Sequence, residues 1–238
     1  MVDDGSTDRT SEIVRSFASV RLVSHGHWGK ARSVNGAAEA AAGEVLLFID
    51  GDLVLEREYV ERMVAPILAG TCVGTAHAVE RVANPDNRWA ACYQLKAGLP
   101  PDRRLVIGPA QVAEGSIVFR AVRASEFRRV GGFDDIGYLD DQTLCPKLGA
   151  RARFVTDAGC SHYNAETLRE VFAAGVWGAQ SIARLHGRRA LWRYQPLASL
   201  PRAVRAAVRA RRASLALYDA AYEAGVCRGL LRGTGAPR

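Results

Sequence analysis

Two carboxylates one residue apart, Asp50 and Asp52, with Gly51 between them to let the backbone turn sharply, are the first residues able to do chemistry. Such a pair suits a hard divalent cation held by one or two carboxylates and completed by substrate phosphates. A bare Asp-Gly-Asp is also an ordinary turn. The apolar run Val45-Leu-Leu-Phe-Ile49 just before it favours the chemical reading, because it sets the carboxylates at the carboxyl end of a buried strand. Lys30 and Arg32 open a predicted helix, whose unpaired N–H groups and positive dipole end favour phosphate. They are candidate diphosphate contacts, or plain first-turn cations. A second acidic pair, Asp140-Asp141, and a lone histidine, His162, complete the set. Asp140 can also be a helix cap with Asp141 in the first turn, and a single histidine is as readily structural as a ligand.

These residues need elements to hold them. Asp3-Asp4-Gly-Ser-Thr-Asp8 is a tight turn in which Ser6 or Thr7 can cap a helix running through Ile13, Val14 and Phe17, with a short strand at 20–23 after it. Beyond the glycine-rich His25-Gly-His-Trp-Gly-Lys30, the spacing of Ala31, Val34, Ala37, Ala38 and Ala41 predicts a helix over 30–42, closed by Gly43. The run at 45–49 predicts a strand covered on both faces in a parallel sheet. A helix over 56–69, strands at 73–79 and 116–119, a helix over 85–96 and a strand at 153–156 continue the alternation. The prediction is an α/β fold with a mostly parallel sheet and ligands at the carboxyl ends of its strands. After Tyr163 the pattern is helical, broken by Pro196 and Pro201. There Leu200, Val204, Ala207 and Val208 lie opposite Arg202, Arg205, Arg209 and Arg212, as in a basic amphipathic helix.

Composition narrows the field. At 238 residues, 48% hydrophobic and 24% charged, the chain can bury one substantial core. It contains no apolar run of spanning length and no basic-then-apolar leader, which predicts a cytoplasmic protein. The five cysteines are scattered without a CxxC pair and read as reduced core residues rather than a disulfide or zinc framework. Net charge is +7, yet residues 171–218 alone hold nine arginines and no acid, so the basic character is local. The charge does not read as a nucleic-acid site: no recognition motif accompanies it, and of the tryptophans only Trp177 and Trp192 lie within it.

Taken together, VDDGSTDRT, GKARSVNGAAEAAAGEVLLFIDGD, VGGFDD and LDDQTL resemble, in content and order, the motifs of family 2 glycosyltransferases with the GT-A (Rossmann-like) fold. The resemblance covers about residues 1–165 and leaves 166–238 as a basic helical extension. It implies a nucleotide-diphospho-sugar donor and a glycan or lipid-linked hydroxyl acceptor, with inversion at the transferred sugar. By this resemblance Asp3 and Asp4 contact the nucleoside, Asp50 lies near the ribose, and Asp52 binds Mn²⁺ or Mg²⁺ with His162 approaching the metal or diphosphate. Gly132, Phe133 and Asp134 shape the acceptor side, and Asp141 is the general base with Asp140 beside it. An acceptor hydroxyl must lose its proton as it attacks, which a nearby carboxylate can accept.

The resemblance also implies a strand, a helix and a second strand ahead of the first motif. Here the motif is entered at once, so the expectation is a GT-A domain whose first strands are missing. Trp177 and Gln180 stand in the order WGAQ rather than the QxxRW of processive relatives, which argues against polymer synthesis. The arginine-rich helices point to an anionic membrane surface at the inner face of the cell membrane. A second reading, from another class, is a non-catalytic remnant that attaches to membrane or nucleic acid through those helices.

Overall fold

The computed structural model describes residues 1–137 and 139–232. Strand β1 (Val2–Asp3), helix α1 (Thr10–Arg15) and strand β2 (Val23–Ser24) come first, and β1 pairs parallel with β2 in a small sheet of its own. Neither Ser6 nor Thr7 caps α1. Asp8 Oδ1 accepts the N–H of Thr10 at 2.9 Å, so the helix begins later than predicted and ends before Phe17. Helix α2 (Lys30–Ala40) starts where its periodicity predicts and stops when Ala41 turns extended.

The main sheet takes β3 (Val45–Leu47), β4 (Leu53–Leu55) and, after α3 (Tyr59–Leu68), β5 (Gly74–Val82). Helix α4 (Arg88–Lys96) follows, with the Asn87 side chain accepting the N–H groups of Trp89 and Ala90. Then come β6 (Arg103–Val106), α5 (Pro109–Glu114), β7 (Ala121–Arg123), α6 (Ala124–Arg129), a 3₁₀ turn at Asp140–Gln142, α7 (Leu144–Leu148) and β8 (Arg153–His162). Sheet order is β3-β7-β5-β8-β4, with β6 also on β5.

Only β5 and β8 run parallel in this sheet; the other pairings are antiparallel. The expected mostly parallel sheet is therefore mixed. The apolar run before Asp50 reports how many faces of the strand are covered, and carries no information about a neighbour's direction. The strand expected at 116–119 lies instead at β7, with Ser116 making one isolated bridge to Ala152. The strand expected at 153–156 continues to His162: pairing with β5 jumps from His77↔Val155 to Val79↔Gly159, so the small residues there form a bulge within β8.

Phe48, Phe127 and Phe133 meet at centroid distances of 5.0 to 5.3 Å and join α2 to the sheet. Tyr59 and Met63 of α3 pack on the other side against Val155, Ala158 and Cys160. All five cysteines are unpaired, with Cys92 and Cys160 buried.

Helices α8 (Leu168–His186), α9 (Ala190–Tyr194), α10 (Pro196–Ala210) and α11 (Ala213–Arg232) complete the described chain. Helices α8 and α11 approach closely because glycines face backbone across the contact: Gly175 meets Tyr222 and Gly225 meets Phe172, each at the carbonyl oxygen. Two ion pairs, Lys96–Asp219 at 2.6 Å and Arg202–Glu223 at 3.1 Å, tie α11 to α4 and α10. No described helix is long and apolar enough to cross a membrane.

Candidate functional site

The site begins where β3 ends. Lys30, the first residue of α2, sets Nζ 2.8 Å from Asp50 Oδ1, and Arg120 sets Nη1 2.8 Å from Oδ2. Burial alone would push the Asp50 carboxyl up; Lys30 and Arg120 outweigh it and hold the group at about 2. For both cations burial acts to lower the pKa, and Asp50 reverses the effect, so both stay charged. Two fixed cations thus share one carboxylate. The backbone of Arg120 is pinned from both sides, its N–H donating to Thr75 and its carbonyl accepting from Phe48.

Asp140 and Asp141 reach the same cavity, of about 690 Å³, which Lys30, Asp50, Gly51, Arg120 and Phe133 also line. Asp140 is 3% exposed, and its carboxyl is pushed up to about 6 by burial, which the nearby Lys30 opposes and Asp141 reinforces. Burial raises Asp141 as well, against the pull of Lys30 and Arg120. Their turn is fastened by the glycine segment preceding it. The Phe133 N–H donates to Asn35 Oδ1 and the Asn35 side-chain amide donates back to the Phe133 carbonyl, each at 2.9 Å. Lys147 Nζ donates to the Gly132 carbonyl at 2.6 Å and pairs with Asp134 at 2.7 Å. Gly132 and Asp134 thus brace the cavity wall, while Phe133 forms part of it.

Asp52 lies just past Asp50, and its Oδ2 is 3.3 Å from His162 Nε2. The cause is a strand pairing hidden from the sequence reading: β4 runs antiparallel to the end of β8, with Leu53 opposite His162. The Tyr163 N–H also donates to the Asp52 carbonyl at 2.9 Å. His162 Nδ1 lies 2.8 Å from the Tyr163 carbonyl, an arrangement that directs Nε2 toward Asp52. Burial, with help from Arg104, lowers the histidine pKa and favours the neutral imidazole that a metal needs. An oxygen donor and a nitrogen donor are types that a divalent ion shared with a substrate accepts. No cluster of three or more protein ligands occurs among the described residues, so the substrate would have to complete the shell.

The remaining predicted residues are placed differently. Asp3 is buried, and its carboxylate, held at about 2, accepts from the Ser11 hydroxyl and the Ser6 N–H. Asp4 accepts from the N–H groups of Trp28 and Gly29 and from the Ser33 hydroxyl, fixing the approach to α2. Arg32 lies 5.8 Å over the exposed Trp28 ring, which in turn stacks on His25 at 4.0 Å. It is Lys30 that lines the cavity. The residue that sequence reasoning missed is Arg120; its one signal was its place after the apolar run Ile117-Val-Phe119. Among the helices, Gln180 packs by Gly137, where an added Cβ would meet its Oε1 at 3.3 Å, so α8 abuts the loop leading to Asp140.

Comparison with known proteins bears on what this site does. Residues 1–131 match the sequence model described as glycosyl transferase family 2. A curated relative, an uncharacterized glycosyltransferase from Nostoc sp., is 26% identical over 91 residues; the match covers 36% of this chain and 28% of the relative's length. Mannosyltransferase PcManGT from Pyrobaculum calidifontis, solved in complex with GDP-Man and Mn²⁺, superposes with a TM-score of 0.56 at 22% identity, over 98% of this chain and 77% of that one. Residues 1–349 of S. aureus TarS, solved in complex with UDP-GlcNAc, give 0.52 at 15% identity, over 98% and 82%. At these identities the likeness is one of fold.

Proposed function

Because the chain belongs to glycosyl transferase family 2, we propose that it transfers a sugar from a nucleoside-diphosphate donor to a hydroxyl of a glycan or lipid-linked acceptor in the making of envelope glycans or glycolipids. The observation that carries this reading is the meeting of Lys30 and Arg120 on Asp50, beside Asp140 and Asp141, in one cavity. The leaving group of such a transfer is a diphosphate, and fixed cations in a cleft of low dielectric stabilise the charge it gains. That solved proteins of like fold hold GDP-Man or UDP-GlcNAc supports the donor class.

Asp141 takes the proton of the acceptor hydroxyl as its oxygen attacks the anomeric carbon. The new carbon–oxygen bond forms while the bond to the phosphate oxygen breaks, and its electron pair leaves with the diphosphate toward Lys30 and Arg120. A single displacement of this kind inverts the anomeric carbon. Burial makes Asp141 a stronger base than a solvated carboxylate, and Lys30 and Arg120 keep it from becoming a permanently protonated one. Asp52 and His162 would hold Mn²⁺ or Mg²⁺, which supplies further neutralisation of the leaving diphosphate. Asp50 holds the two cations apart and borders the ribose. Asp3 and Asp4 belong to the nucleoside end, where Asp4 fixes the Trp28-Gly29 corner. The acceptor side lies toward the inner face of the cell membrane, a reading supported by the basic charge of residues 171–218.

Calorimetric titration of UDP and GDP, with and without Mn²⁺, tests this reading. Binding of one nucleotide that strengthens with Mn²⁺ and weakens at least tenfold in Asp52→Ala and in Arg120→Ala is the expected result. Silence from both nucleotides under every condition would overturn it in favour of the non-catalytic alternative.

A further inference from the structure

Helix α10 packs on the protein through small residues and leaves larger apolar ones beside them exposed. Its alanines face the protein: Ala203 and Ala207 are 1% and 7% exposed, and Ala207 packs with Cys92, Val171, Leu215 and Tyr218. Three of its larger apolar residues, Leu200, Val204 and Val208, are 54%, 48% and 72% exposed. A helix of a soluble domain buries its largest apolar side chains and leaves the small ones at the margin. Residues at i, i+4 and i+8 form one continuous stripe roughly 12 Å long. Arg205 and Arg209, both exposed, lie along the edge of that stripe away from the alanine face. Arg202 is already committed to Glu223, and Arg205 and Arg209 are in none of the ion pairs among the described residues.

We propose that the Leu200-Val204-Val208 stripe and its Arg205-Arg209 border seat α10 in the interface of an anionic lipid bilayer. The apolar stripe enters the boundary between headgroups and acyl chains, and the guanidinium groups meet lipid phosphates at the depth where that boundary becomes polar. Charge complementarity selects this occupant. A second copy docked antiparallel, by a two-fold axis perpendicular to α10, would bring two arginine rows together, and a nucleic acid would leave the apolar stripe uncovered. Helix α10 packs on α11, which packs on α8, whose Gln180 abuts the loop leading to Asp140. A bilayer held at α10 is therefore tied through packed helices to the catalytic turn. The proposal deepens the membrane-side reading of the acceptor, yet its test is separate: nucleotide titration reports on the cavity, vesicle binding on α10.

The measurement is flotation of the full chain with vesicles of phosphatidylcholine alone or with about a third phosphatidylglycerol, at low and high salt. The expected result is binding to the anionic vesicles that falls with salt. It drops at least tenfold in Val204→Glu/Val208→Glu, and roughly fivefold per residue in Arg205→Gln and Arg209→Gln. All four positions are exposed, so matching thermal melts should confirm that the variants fold. If a melt differs, Val204→Cys carrying an environment-sensitive fluorophore gives an independent reading: a blue shift on anionic vesicles supports the seating, and none opposes it. Wild-type chain that stays unbound at low salt, or binding that survives both sets of substitutions, overturns the proposal. So does a dimer broken by Val204→Glu, or retention on duplex DNA without vesicle binding.

Discussion

Asp140 and Asp141 are neighbours in sequence, and burial raises the carboxyl pKa of both. Asp140 is nearly sealed off, with its carboxyl at about 6 against an ordinary 3.8. A group whose folded pKa is raised favours folding in its protonated form. Its contribution is fully present below about pH 4 and is lost as pH climbs through 6. Asp140→Asn should remove that slope, so relative to wild type it gains on the order of 2 kcal/mol between pH 4 and 7. Denaturant unfolding at several pH values measures this, and parallel curves for the two chains would show that Asp140 is not the group responsible. With Asp141 as the proposed base for the acceptor proton, Asp141→Asn should lower turnover by 10² or more while leaving nucleotide affinity within a few-fold. With wild type, the acid limb of kcat/KM should lie above the usual carboxylate range, because burial raises the base. A limb at the ordinary Asp value would point to a different base.

At the scale of elements, the site depends on a clamp between α2 and the loop before the 3₁₀ turn. Asn35 makes both of its hydrogen bonds to the Phe133 backbone, and Gly132 sits at φ +68° with no room for a side chain, since a Cβ would overlap the Asn35 amide. Gly132→Ala meets both penalties, strain in the left-handed region and a steric clash, and should cost about 1–3 kcal/mol. Asn35→Ala leaves a donor and an acceptor unpaired at a comparable cost. Melting temperatures several degrees below wild type, with weaker nucleotide binding in both variants, are the expected outcome. An unchanged melt for Gly132→Ala would mean that the loop relaxes freely and does not brace the cavity. Strands β4 and β8 perform the corresponding service for Asp52 and His162.

For the molecule as a whole, the helical part and the sheet part are joined rather than strung together. Lys96 of α4 pairs with the buried Asp219 of α11, and α8 meets the Gly137 loop. The α8–α11 contact is set by glycine. A Cβ at Gly225 would overlap the Phe172 carbonyl oxygen, and backbone cannot swing aside as a flexible side chain can. Gly225→Ala should therefore push the two helices apart and destabilise by about 1–3 kcal/mol, or roughly 2–4 °C of melting temperature per kcal/mol at this size. Limited proteolysis would then cut first within residues 166–232. Cleavage unchanged from wild type would argue that the helices separate at no cost.

Local features of the chain were legible without the structure. The periodicity of Ala31, Val34 and Ala38 determined α2, and the apolar run at 45–49 determined a strand that ends in carboxylates, because burial writes itself into residue type along one element. Motif order determined the family, and with it Asp141 as a candidate, while Asp50, Asp52 and Lys30 were candidates from their places after a buried strand and at a helix start. What the sequence could not determine lies between elements. Strand direction in the sheet, the pairing of β4 with β8 that brings Asp52 to His162, and the arrival of Arg120 at Asp50 across 70 residues are all choices of register and approach. So is the orientation of α10: its pattern of Leu, Val, Ala and Arg is the same whichever face packs, and only the helices that accept Ala207, α4, α8 and α11, decide that Leu200, Val204 and Val208 are left for another partner.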